Sequence, residues 1–133
     1  MPVPAKMRRS LSPDAKETFV ATRGVERCVF LYPLDVWEEI EERIREKNQF
    51  VAANRDFVRT IAMWADELTL DGQGRVALPK NLLEFAGLQT SAKALIIGAF
   101  DRIEVWDPAV FETHQDNQDE SYESLAERVM GGA

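Results

Sequence analysis

The sequence predicts an α+β fold, mainly β, built from two tandem β-α-β-β units with flanking amphipathic helices. Three observations predict it. Short apolar runs recur between turn residues, two stretches carry apolar residues at helical spacing, and the chain repeats itself at a fixed distance. A shift of 75 positions lays "VPAKMRRSL" (3–11) over "LPKNLLEFA" (78–86), with Pro4 on Pro79. The same shift puts Glu26-Arg27 on Asp101-Arg102 and Pro33 on Pro108.

The elements follow in order. Each copy opens with an apolar strand running into a proline, which suits the first turn of a helix because its missing N–H is no loss there. In the second copy that helix shows Leu82, Leu83, Phe85 and Ala86 on one face, and Gly87 stops it. A hairpin comes next: "ETFVATRG" with "RCVFLY" in the first copy, "AKALIIGAF" with "RIEVW" in the second. After the first hairpin, "PLDVWEEIEERIREK" aligns Val36, Trp37, Ile40 and Ile44 along one stripe. A connecting helix, "NRDFVRTIAMWA", presents Phe57, Ile61 and Trp64. The tail "DESYESLAERVMGGA" reads as a frayed helix through Tyr122, Leu125 and Val129, although its acidity and position equally admit partial disorder. The resulting division is a first repeat (1–35), connecting helices (36–64), a second repeat (65–108) and an acidic C-terminal segment (109–133).

Composition bounds the function. The 133 residues are 45% hydrophobic, a globular proportion, and no run approaches the ~20 apolar residues of a membrane span. The basic start, "MPVPAKMRRSL", leads into polar sequence instead of the apolar core of a signal peptide. Cys28 is the only cysteine, so no intrachain disulfide forms and a reducing, cytoplasmic setting fits. The net charge of −7 argues against nucleic acid at first sight. The distribution is lopsided, however: residues 1–27 hold six basic and three acidic side chains, a net +3, and the rest a net −10. A phosphate contact needs a local basic surface, not a basic whole.

The segment "DGQGRVALPKNLLEFAGL" (71–88) carries the candidate chemistry. Asp71, Gly72 and Gly74 permit a tight reversal, with positive φ cheap at either glycine. Arg75 then begins a strand, where its guanidinium can take phosphate or the O6/N7 edge of guanine; it can equally pair with Asp71 to stiffen the turn. Gln73 belongs to the same turn. Lys80 follows Pro79 at a helix start, as a phosphate contact or simply a solvated lysine. Lys6, Arg8 and Arg9 form the one dense cationic patch, suited to backbone phosphates or to a solvated helix face. By the 75-residue offset, the counterpart of "DGQGR" falls just before Met1, so the reading expects a first copy lacking this motif, through a late-assigned start or its loss.

Nothing points to catalysis: no Ser/His/Asp or Cys/His pairing, phosphate-binding glycine loop or metal-ligand spacing stands out, and neither cofactor nor small-molecule substrate is expected. Trp37, Trp64 and Trp106 read as core or subunit-interface residues. Cys28 reads as a small buried hydrophobe, and His114 as part of a solvated acidic region.

"LDGQGRVALPKNLLEFAGL" resembles the D-x-x-G-R-[apolar]-x-[apolar]-P signature of the AbrB/SpoVT swapped-hairpin DNA-binding proteins. The duplicated arrangement, with "CVFLYPLDVWEEIEERI" after the first copy and "IEVWDPAVFE" after the second, resembles the MraZ family of bacterial transcriptional regulators. The resemblance covers nearly the whole chain. It implies a small AbrB-like β-barrel of two interleaved repeats, in which one chain does what a dimer does elsewhere. It also implies a nucleoid-associated, ring-shaped homo-oligomer that binds repeated elements in double-stranded promoter DNA of the division and cell-wall gene cluster, as a repressor of its own operon. Two alternatives remain open: an antitoxin of the same hairpin class, and an oligomerising interaction module that has lost DNA contact.

Overall fold

The computed structural model describes residues 1–9, 11, 13, 16–89 and 93–131. In chain order they form helix α1 (Ala5–Arg9), strands β1 (Thr18–Arg23) and β2 (Val29–Pro33), and helices α2 (Leu34–Arg45) and α3 (Ala52–Trp64). Strand β3 (Asp66–Thr69), helix α4 (Lys80–Ala86), strands β4 (Leu95–Ala99) and β5 (Arg102–Trp106) and helix α5 (Pro108–Asp116) follow. Helix α6 (Tyr122–Ala126) continues into a π-helical turn over Glu127–Gly131, so the tail is helical.

The α+β class is observed, with more helix than strand. The five strands form one antiparallel sheet in the order β3-β1-β2-β5-β4. The sheet is open, with β3 and β4 as its edges, and does not close into the expected barrel. Its order interleaves the halves: β3, from the second, pairs with β1 from the first, and β2 pairs with β5.

The sheet buries both faces. One carries Phe19, Ala21, Val29, Leu31, Ile103 and Val105 against Leu82 and Ala86 of α4, together with Val3 and Val76. The other carries Cys28, Phe30 and Trp106 against Val110 and Phe111 of α5. Trp37 is buried against Tyr32, and Trp64 packs on Phe85 with ring centroids 5.4 Å apart. The α4 helix ends where the sequence indicates: Gly87 adopts φ 71° and its N–H reaches the last carbonyls.

Because strand side chains alternate, face parity tests the repeat to the single residue. Phe19 and Ala21 correspond in face to Ala94 and Ile96, an offset of 75, whereas Val29 and Leu31 correspond to Ile103 and Val105, an offset of 74. The change falls in the hairpin loops. The first, closed by the Gly24 N–H on the Cys28 carbonyl at 2.8 Å, spans three residues, 25–27. The second, between paired Ala99 and Arg102, has only Phe100 and Asp101. Pro33 therefore matches Asp107, not Pro108. Helix caps agree, since Pro33 precedes α2 as Asp107 precedes α5.

With that correction the register is symmetric. Phe30 faces Glu104, its own repeat equivalent, and Val29–Val105 and Leu31–Ile103 flank the pair as mutual images. A second self-equivalent pair lies at Met1 and Val76, whose main chains exchange hydrogen bonds of 2.7 and 2.8 Å. Two further expectations are revised. The run after Arg75 is extended but joins only an isolated bridge, Pro2 to Arg75, and the second half's ladder strand is the exposed β3 upstream.

Candidate nucleic-acid interface

Asp71 builds the loop around itself. Its Oδ1 accepts the backbone N–H groups of Gln73 at 2.8 Å and Arg75 at 3.0 Å, an Asx-type closure. Its own N–H donates to the Arg75 carbonyl at 2.9 Å, and the Gly74 N–H donates to the Asp71 carbonyl at 3.0 Å. The backbone N–H groups of Arg75 and Gln73 hold the Asp71 carboxyl below the ordinary carboxylate range, and the Arg75 side chain adds to that. Only Gly74 takes positive φ, 73°; Gly72 does not need it.

Arg75 pairs with Asp71, the second of its two sequence readings, and keeps part of its side chain open. Nε–H donates to Asp71 Oδ2 at 3.2 Å, while the side chain stays half exposed and its two Nη groups make no hydrogen bond among the described residues. The acid thus spends its charge within the loop and fixes the guanidinium's direction.

The first repeat adds a second cation. Arg8 of α1 donates from Nε to the Val3 carbonyl at 2.9 Å and lies across Gly74, where a Cβ would meet its Nη1 at 2.5 Å. The contact is fixed by the backbone pairing beside the isolated bridge, in which the Val3 N–H donates to the Gly74 carbonyl at 3.0 Å. Arg8 and Lys16 share with Glu17, Leu70 and the loop a cleft of about 450 Å³. Lys16 escaped the sequence reading. It follows α1 by seven residues, and only the fold carries it to the loop.

The structure gathers Asp71, Gly72, Gln73, Gly74, Arg75 and Arg8 in one place. Gln73 is exposed in the loop, and Lys6 is exposed on α1, two positions before Arg8. The Arg9 side chain lies outside the described residues. Lys80 stands apart at the start of α4, 90% exposed, with Nζ 3.9 Å from Glu84. Two other first-repeat cations are engaged elsewhere: Arg23 and Arg27 lie over the Phe85 ring at 4.2 and 4.9 Å. The local positive surface is therefore smaller than the +3 of the first 27 residues suggests.

Of the remaining candidates, Cys28 lies in the core and His114 is half-buried on α5. Cys28 is fully buried, and burial, with the charges of Glu104 and Glu26, pushes its thiol up to about 12. His114 packs against Trp106 at 5.4 Å. Among the described residues no three His, Cys, Asp or Glu side chains gather as metal ligands, and no helix is long and apolar enough to cross a membrane.

Comparison with known proteins agrees with the duplication. A family model described as "MraZ protein, putative antitoxin-like" matches residues 1–60 and again 61–131. The protein named transcriptional regulator MraZ in Natranaerobius thermophilus is 38% identical over 128 residues, covering 96% of this chain and 85% of its own. The protein of that name in Syntrophomonas wolfei is 40% identical over the same shares, and one in Desulfitobacterium hafniense is 38% identical.

Proposed function

The chain belongs to the MraZ family, and from that premise we propose that it is a transcriptional regulator acting by direct contact with double-stranded DNA, without enzymatic activity. The observation that carries this reading is the Asp71–Arg75 loop, which holds a half-exposed guanidinium by its Nε on a hydrogen-bonded turn. Held by Nε, Arg75 offers its two Nη groups end-on, the geometry that reads guanine O6/N7 or clasps a phosphate. Arg8 and Lys16 beside it supply backbone-phosphate contacts, and Gln73 a further polar group. Lys6, Arg9 and Lys80 add charge around this centre.

One such contact on a chain of net charge −7 is weak and sensitive to salt. Self-association, as a ring of copies each meeting one of several repeated promoter elements, raises the apparent affinity through effective concentration. The target is promoter DNA of the division and cell-wall gene cluster, and the regulator represses its own operon from the nucleoid. Fluorescence anisotropy at fixed salt tests the contact. Arg75→Ala is expected to weaken binding to repeated promoter DNA by roughly 5–150-fold, the ~1–3 kcal/mol of one bidentate contact, with the fold intact by circular dichroism. Equal affinities remove Arg75 from the interface. A native chain that never binds duplex DNA favours an interaction module instead.

A further inference from the structure

A cleft of about 730 Å³ is lined by the extended run after Arg75, by α4 and by β4, the edge strand of the sheet. Leu78, Leu83, Ala94, Ile96 and Val105 make its walls apolar. Protein interiors close up voids much larger than a water molecule. Pockets that take small ligands run to ~300–1,000 Å³, with apolar walls and a few polar groups that orient the guest. The cleft has that size and that make-up.

Its charged lining is one-sided. Arg75 and Lys93 both face it and no carboxylate does, although the chain carries 23 acidic side chains against 16 basic. Asp71 holds Arg75 by Nε alone and is not part of the lining, so the two Nη groups stay open toward a guest. Lys93 is exposed and makes no ion pair among the described residues. Two cations over apolar walls select an anionic head on an apolar body, and the guanidinium fork matches a carboxylate in particular.

We propose that this cleft binds a small organic acid of the medium-chain fatty-acid class, its carboxylate held by Arg75 and Lys93 and its chain laid against Leu83 and Ile96. Arg75 is also the guanidinium assigned above to DNA. A bound acid occupies the same Nη groups, so acid and promoter exclude one another and the acid releases the chain from its target. The binding site stands without the DNA contact; the exclusion rests on that reading.

Isothermal titration of the full chain with decanoate tests the site. Saturable binding of one decanoate per chain is expected. Octanoate is expected to bind roughly tenfold more weakly, the effect of two fewer buried methylenes. Decylammonium, with the same chain and the opposite charge, is expected to bind weaker by at least roughly tenfold. Ala77→Trp, at an exposed position of the lining, fills the cleft and is expected to abolish binding with the fold intact by circular dichroism. Lys93→Glu is expected to weaken it by roughly tenfold. A native chain without saturable binding, equal affinity for decanoate and decylammonium, or undiminished binding by folded Ala77→Trp overturns the proposal.

Anisotropy with promoter duplex completes the test. Decanoate is expected to displace the duplex from the native chain, and displacement that fails at saturating decanoate overturns the exclusion. Arg75→Ala separates the two readings. If it loses decanoate affinity while binding duplex as before, the DNA reading fails alone; if it loses duplex affinity while binding decanoate as before, this proposal fails alone.

Discussion

Glu104 sits opposite Phe30 at the self-equivalent pair of the central ladder, and Arg102 joins the two, stacking over the Phe30 ring at 4.5 Å while donating to Glu104 at 2.7 Å. The other carboxylate oxygen accepts the Trp106 indole N–H at 2.9 Å. One acid therefore satisfies a buried indole and a largely buried guanidinium where the halves meet.

Glu104→Ala strands the buried Trp106 indole N–H and leaves Arg102 with Asp101 alone, at 3.2 Å. We expect a loss of about 2 kcal/mol, the cost of unpairing groups that are mostly screened from water, read from urea unfolding. A loss near the few tenths of an exposed ion pair would show the cluster to be incidental.

At the Asp71–Arg75 loop, Gly74→Ala and Gly72→Ala should part company. Gly74 combines positive φ with the Arg8 guanidinium where a Cβ would go, while a Cβ at Gly72 meets nothing within 4 Å. The first change should cost about 1–2 kcal/mol from the left-handed backbone, and also displace Arg8. The second should be close to neutral. Equal unfolding midpoints for the two variants would contradict the loop geometry.

Asp71 titrates below its ordinary 3.8 in the folded chain. A carboxyl lowered by folding adds stability above its unfolded value and loses it as pH falls through the folded one. The amide resonances of Gln73 and Arg75, which donate to this carboxylate, should shift together with a midpoint under 3.8. A midpoint at or above that value would mean the loop is not closed in solution.

Cys28 should be silent toward thiol reagents. With the thiol pushed up to about 12 and no exposed surface, its thiolate fraction at pH 8 is roughly a thousandfold below that of a free cysteine. Labelling with a disulfide reagent should appear only on denaturation. Prompt reaction of the native chain would place Cys28 outside the core.

The sequence carried the repeat, the α4 helix with its Gly87 stop, both hairpins and the Asp71–Arg75 turn, because each is written in local spacing or turn chemistry. It did not carry the step from 75 to 74. Few identities survive between the copies, and only the alternation of Val29 and Leu31 against Ile103 and Val105 in the folded sheet detects one residue gained in a loop. Strand β3, "DELT", was hidden because an exposed edge strand has no apolar signature. Arg8 over Gly74 and Lys16 beside the loop depend on contacts between residues more than fifty positions apart, which no local pattern encodes.

The unequal hairpin tips make the two lobes independent of one another. A dimer of identical subunits must change both tips whenever its one gene changes. Here a three-residue tip with Val25, Glu26 and Arg27 and a two-residue tip with Phe100 and Asp101 arise from separate codons in one reading frame. With both lobes in one chain, a substitution at one tip leaves the other unchanged, so the two ends of the molecule can differ in shape and charge.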